Sequence, residues 1–188
     1  MTEFLALAQE AQAILETADL IHSPEVIDQA LSDMAQAIDR DYENKVPVVL
    51  CVMNGGLMTT AKLIEKITTP IQLDYIHATR YGSKTTGAKL SWIAEPTFDL
   101  EGRDIIIVDD ILDEGVTLQE LVNYCREKNC ASVKTALLIQ KIHDRKATDL
   151  VADYLGLDVP DRYVFGCGMD YKTYYRNLPG IYAVAEKR

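Results

Sequence analysis

The sequence predicts an α/β domain built on a doubly wound, mostly parallel sheet. Short runs of consecutive apolar residues, as in strands buried on both faces, alternate with stretches of helical periodicity. No repeats and no low-complexity linkers divide the 188 residues, a length that suits one domain with a real core. Hydrophobic residues make up 48% and charged residues 26%, the balance of a folded globular chain rather than a disordered one.

The elements follow in order. Phe4, Leu5, Ala8, Ala11, Ile14 and Leu15 share one face of a leading helix, whose apolar surface needs the core or a neighbour to cover it. Ile27, Leu31, Met34, Ala35 and Ile38 share the face of a second helix, with Ser23-Pro24 as its N-cap and first turn. Val46 to Met53 reads as a buried strand, Leu57 to Lys66 as a helix and Ile71 to Thr79 as a strand. Tyr81 to Ala88 is a polar loop with two glycines and no apolar anchor. Asp104 to Val108 is a further strand and Leu118 to Lys128 a helix. Lys134 to Ile139 and Tyr163 to Phe165 complete the expected sheet, and Ile181 to Val184 is a possible late strand. Ligands of such sheets bind beyond the carboxyl ends of the strands.

Composition excludes several classes of function. With 19 Lys+Arg against 29 Asp+Glu, the net charge of −10 argues against a broad nucleic-acid surface. It leaves room for a small anion, because a few backbone N–H groups and a divalent cation reverse the field locally. The apolar runs are too short to span a bilayer, and the acidic N-terminus does not read as a signal peptide, so no membrane is expected and the cytoplasm is the default. Cys51, Cys125, Cys130 and Cys167 show no metal-ligand spacing and are expected as reduced thiols acting as small hydrophobes.

The informative segment is Ile105-Ile106-Ile107-Val108-Asp109-Asp110-Ile111-Leu112-Asp113-Glu114-Gly115-Val116-Thr117-Leu118. Four apolar residues drive a strand into the core and deliver two adjacent carboxylates at its end. A glycine turn then opens a helix, whose free N–H groups and positive terminus favour a phosphate. Carboxylates just upstream can hold a hydrated Mg²⁺ or ribose hydroxyls. A phosphorylated sugar needs both halves side by side. A plainer reading exists: Thr117 with Glu120 fits a capping box, and Gly115 fits an ordinary tight turn. Paired aspartates after a strand also open receiver domains, but near the domain's start, whereas Asp110 lies past the midpoint.

This segment resembles the phosphoribosyl-diphosphate signature of the type I phosphoribosyltransferases. Leu50-Cys51-Val52-Met53-Asn54-Gly55-Gly56, the Tyr81 loop, the stretch around Lys141, and Pro160 through Tyr171 resemble the hypoxanthine-guanine branch in order and approximate spacing. The similarity runs from about residue 20 to the C-terminus. It implies a type I phosphoribosyltransferase-like fold over residues 1–188, with a small hood and a mobile flap. Residues 1–45 would lie partly in the hood, 80–90 would form the flap, and 160–188 would supply the base-binding part of the hood.

The resemblance also implies roles. Asp113 would be the general base taking the purine N7 proton. Asp109 and Asp110 would face the ribose and Mg²⁺, with Asp170 completing the metal site. Backbone amides of Glu114, Gly115, Val116 and Thr117 would cradle the 5′-phosphate. Glu114 and Val116 depart from the usual threonine and lysine, and a carboxylate is tolerable there only if it points to solvent. Asn54 and Gly55, after a cis Met53–Asn54 peptide, would bind diphosphate with Arg176, although relatives usually carry lysine at Asn54. Lys141, preferred over Lys146 despite an imperfect register, would donate to the 6-oxo oxygen and disfavour adenine. Tyr163 would stack on the purine and Val164 would present its backbone to the base edge. Arg80 and Tyr81 belong to the flap, Arg80 in place of the usual serine.

The expected function is transfer of 5-phosphoribose to hypoxanthine or guanine, with Mg²⁺, in a homodimer or homotetramer. A phosphosugar-sensing regulator on the same fold and a xanthine-preferring transferase are the alternatives.

Overall fold

The computed structural model describes residues 3–80 and 90–186. Two sheets account for the strands. The larger has six, in the order β4-β3-β2-β5-β6-β7: β4 (Leu90–Ala94), β3 (Gln72–Arg80), β2 (Val48–Val52), β5 (Asp104–Leu112), β6 (Ser132–Ile142) and β7 (Tyr154–Pro160). All neighbours run parallel except β4, which pairs antiparallel with β3 at the edge.

The apolar runs behave as buried parallel strands should. All five residues of β2 are buried, as are Ile105 through Val108 of β5. Alternation splits β5 between two cores. Ile106 and Val108 meet α2 (Pro24–Asp41) and α3 (Gly56–Ile64) through Ile27, Leu31, Ile38 and Leu63. Ile105 and Ile107 face α4 (Val116–Glu127) through Leu118, Leu121, Val122 and Cys125. The helix α2 starts where its sequence places it: Ser23 is the N-cap, its side chain accepts from the Val26 N–H, and Pro24 occupies the first turn.

The second sheet is small and antiparallel, in the order β1-β9-β8: β1 (Asp19–His22), β9 (Ile181–Ala183) and β8 (Val164–Phe165). This corrects the expectation that Tyr163 to Phe165 completes the main sheet. The sixth strand of that sheet is β7, which, like β1 and β4, the sequence pattern does not predict. The leading helix α1 (Glu3–Thr17) lays Ala11, Ile14 and Leu15 on Phe165, Tyr171 and Tyr175 beside this small sheet. No helix among the described residues is long and apolar enough to cross a membrane.

Candidate active site

β5 runs further than its apolar residues indicated. It continues through Asp109 and Asp110 to Leu112, paired with β6 as far as Gln140. Successive strand residues face opposite ways, and the two carboxylates line different clefts. Asp109 borders one of about 230 Å³, walled by Ile111 through Leu118. Asp110 borders a second of about 210 Å³, with Lys141, Tyr163, Val164, Met169, Asp170 and Arg176. Ile111 edges both. Burial pushes both carboxyls above the usual range, and at Asp109 the neighbouring Asp110 charge adds to it, against the attraction of Arg176.

The first cleft is walled by the turn that opens α4. Gly115 has φ +84°, and a Cβ there would stand 2.6 Å from Thr148 Oγ1. The helical ladder of α4 begins only with Gln119 N–H donating to the Gly115 carbonyl at 2.9 Å. Among the described residues, the amides of Gly115, Val116, Thr117 and Leu118 donate to no protein acceptor. The capping box is overturned: the N-cap is Gly115, no side chain caps the helix, and Thr117 is its second residue. Glu114 sends its half-exposed carboxylate outward to Arg145 Nη1 at 3.9 Å, while its carbonyl accepts from Ala147 N–H at 3.0 Å.

Where the clefts meet, Asp113 Oδ2 accepts from Lys141 Nζ at 2.8 Å and Oδ1 from His143 Nε2 at 2.7 Å. Burial tends to raise the Asp113 carboxyl, but these hydrogen bonds and charges outweigh it and hold the group below the usual range. Lys141 is largely enclosed and lines the second cleft, whereas Lys146 is exposed. Tyr163 stands half exposed at the mouth, edge-on to Tyr171 with ring centroids 5.5 Å apart. Val164 is buried and pairs with Ala183.

The β2–α3 turn closes the arrangement. The Met53–Asn54 peptide is cis, and Asn54 is exposed. The amides of Asn54, Gly55 and Gly56 have no protein acceptor among the described residues. A Cβ at Gly55 would lie 2.3 Å from Asp110 Oδ2, so this turn lies directly against the β5 carboxylate. Arg176 is committed within the hood: Nη1 donates to the Gly168 carbonyl at 2.6 Å and Nη2 pairs with Asp170. Asp170 also accepts from the Thr173 N–H at 2.7 Å.

Residues 18–172 match the model of the phosphoribosyl transferase domain. The hypoxanthine-guanine phosphoribosyltransferase of Bacillus subtilis is 36% identical over 85% of this chain and 88% of its own. The chain belongs to the phosphoribosyltransferase family. The hypoxanthine-guanine-xanthine phosphoribosyltransferase of Tritrichomonas foetus is 33% identical over 86% of this chain and 88% of its own. A crystal structure of a Bacillus anthracis hypoxanthine-guanine phosphoribosyltransferase superposes with TM-score 0.84 at 33% identity, covering 89% of this chain and 98% of that one. The fold is thus the type I phosphoribosyltransferase fold.

Within this phosphoribosyltransferase, most of the residues singled out in sequence converge on the two clefts. Asp170 lines the same cleft as Asp110, while Asp109 lines the other; no group of three or more His, Cys, Asp or Glu is placed to hold a metal among the described residues. Arg80 ends β3, and Tyr81 with the rest of the expected flap to Lys89 lies outside the described residues. His143 was missed. It stands two residues beyond Lys141 and one past the end of β6, where the chain turns and brings its ring to the same carboxylate. The four cysteines are free, and burial pushes the Cys125 thiol up to about 12.

Proposed function

We propose that this phosphoribosyltransferase joins hypoxanthine or guanine to 5-phosphoribosyl-1-diphosphate, giving IMP or GMP and diphosphate. The observation that carries this reading is the Lys141–Asp113 pair, a donor-only cation 2.8 Å from a carboxylate, standing between the amide-lined cleft and the Tyr163 cleft. A 6-oxopurine presents a carbonyl acceptor at C6 and a removable proton at N7, side by side on one edge of the base. Lys141 would leave Asp113 for the 6-oxo oxygen, and the freed carboxylate would take the N7 proton. The purine N9 bonds to the ribose C1 as the C1–O bond to diphosphate breaks, and the departing electron pair stays on that oxygen. Tyr163 would stack on the base, and Val164 would offer backbone groups to its edge.

The amides of Glu114 through Thr117, with the Thr117 hydroxyl, would hold the 5′-phosphate at the positive end of α4. Asn54, Gly55 and Gly56 would approach the diphosphate, with Arg176 released to it from Asp170. Two adjacent carboxylates with raised proton affinity, Asp109 and Asp110, suit a cation that shares their charge. Mg²⁺ keeps waters and takes substrate oxygens beside one or two carboxylates, which is what this pair offers. Asp170 would reach it through water. When bound, Mg²⁺ neutralises charge on the leaving diphosphate.

Relatives named for hypoxanthine and guanine support the purine class, and the Tritrichomonas relative named also for xanthine keeps xanthine as a second reading. A phosphosugar-sensing regulator would have no use for the Asp113–Lys141 pair. A homodimer or homotetramer is supported by an apolar groove of about 470 Å³ formed by Met53, Leu57, Ile64, Leu73 and Tyr75. The free thiols suit a reducing cytoplasm.

Incubation with the phosphosugar, Mg²⁺ and each of hypoxanthine, guanine, xanthine and adenine tests the proposal. IMP and GMP should form with little AMP, and a chelator should abolish product. Absence of nucleotide from every oxopurine would overturn it.

A further inference from the structure

We infer that His143 is a positioning residue for this reaction: it holds the Asp113 carboxylate by one oxygen so that the other is aimed at the purine proton. The inference rests on the proposed role of Asp113 as base. It begins from the state of that carboxylate in the cleft. Asp113 follows the last residue of β5 and precedes α4, outside regular structure, and its side chain is 37% exposed. Of its two partners, Lys141 must leave when it turns to the 6-oxo oxygen. The His143 contact to Oδ1 at 2.7 Å is then what remains to hold the group.

His143 is built for that task. Its side chain is 3% exposed. Its Nδ1 accepts the Arg145 backbone N–H at 3.0 Å, so the proton of the neutral ring resides on Nε2, and Nε2 donates to Asp113. The ring is fixed at both nitrogens, and its tautomer is set by a backbone group rather than by a side chain that can swing. The segment beyond it is tied to the same turn: Ala147 N–H donates to the Glu114 carbonyl at 3.0 Å, and the Thr148 hydroxyl lies against Gly115. One loop thus fixes the base and braces the phosphate cradle. Lys141 serves the purine and His143 serves the base, with one residue between their positions and one carboxylate between their tips.

Asp113 Oδ2, once released by Lys141, needs no torsional search to receive the proton. Misplacement of a reacting group by about 1 Å costs on the order of 100-fold. Single-turnover rates of nucleotide formation are the proper readout, because product release often limits steady turnover. H143L should lower that rate roughly 10- to 100-fold while the KM for the phosphosugar stays within about twofold. H143Q, whose amide nitrogen reaches the position of Nε2, should recover most of the rate. In a D113N background, H143L should add no further loss. A wild-type rate in H143L overturns the inference, as does a glutamine variant no better than leucine, or a loss that persists undiminished beside D113N. Should H143L not fold, H143N, whose shorter amide falls short of Asp113, replaces it alone and beside D113N, with the same outcomes read against H143Q. A D113N enzyme with normal rate is a different failure: it removes the base assignment itself, and this inference with it.

Discussion

A Cβ on Gly168 would stand 2.2 Å from the carbonyl oxygen of Gly55, and Gly168 holds φ at +107°. The hood turn therefore docks on the β2–α3 turn through bare backbone, and the same Cβ would lie 3.4 Å from Asp110 Cβ. The turn at Gly168, the β2–α3 turn and the acidic strand meet at this one point. Alanine at Gly168 must both adopt a conformation that costs about 1–3 kcal/mol and displace a backbone carbonyl. G168A is expected to lose at least about 2 kcal/mol of stability by urea unfolding and to bind purine poorly. An unchanged unfolding midpoint would show that the hood need not sit this close.

In the proposed reaction Lys141 would discriminate by offering donors only. Glutamine at this position can donate or accept, so K141Q is expected to lower kcat/KM for hypoxanthine about 10- to 100-fold while raising the relative rate with adenine. The partner left behind matters too: Asp113 loses a charged hydrogen-bond donor and its proton affinity should rise. Competition assays between hypoxanthine and adenine read the change directly. A K141Q enzyme with unaltered preference would move the 6-oxo contact elsewhere.

The β2, β5 and β6 strands and the acidic turn were legible because buried parallel strands write continuous apolar runs, and because Asp109 to Thr117 is contiguous. β1, β4 and β7 were not. Each lies at a sheet edge; Asp19–His22 has no buried residue, and the apolar run of Tyr154–Pro160 is broken by Gly156 and Asp158. Val164 and Phe165 are as apolar as any core strand, yet their partners are Ala183 and Tyr182, and pairing across that distance leaves no local mark. His143 was hidden for the same reason: its significance lies in an oxygen of Asp113, 30 positions away. The place where β5 ends was misjudged because charged residues rarely continue a buried strand, and here two of them do.

The cradle makes a paired prediction. Glu114 points its carboxylate at Arg145 in solvent, and exposed pairs of this kind contribute little. Replacing it by threonine should leave the KM for the phosphosugar within about threefold of the wild type. Gly115 is different, since its left-handed backbone aims the free amides and Thr148 fills the space beside it. G115A should raise that KM by about tenfold or more. Equal effects of the two variants would mean that side chains, not amides, hold the phosphate.

Asp74 gives a pH-dependent prediction away from the chemistry. It is buried in β3, where Oδ1 accepts the Tyr75 N–H at 2.8 Å and Oδ2 accepts the Thr97 N–H at 2.6 Å and the Phe98 N–H at 3.0 Å. Burial alone would raise its pKa, but the backbone amides prevail and hold the carboxyl below the usual range. The unfolded chain then binds the proton more readily than the folded one. The stability Asp74 confers is complete above the unfolded value of about 3.9 and drains away as pH falls through the lower folded value. D74N should cost about 2 kcal/mol at neutral pH, because an amide oxygen and an NH₂ replace an anion facing three amides. The gap between wild type and variant should narrow below about pH 4, with activity at neutral pH little changed. Thermal unfolding across roughly pH 3 to 7 measures it, and a constant gap throughout would mean that Asp74 is not held as an anion by these amides.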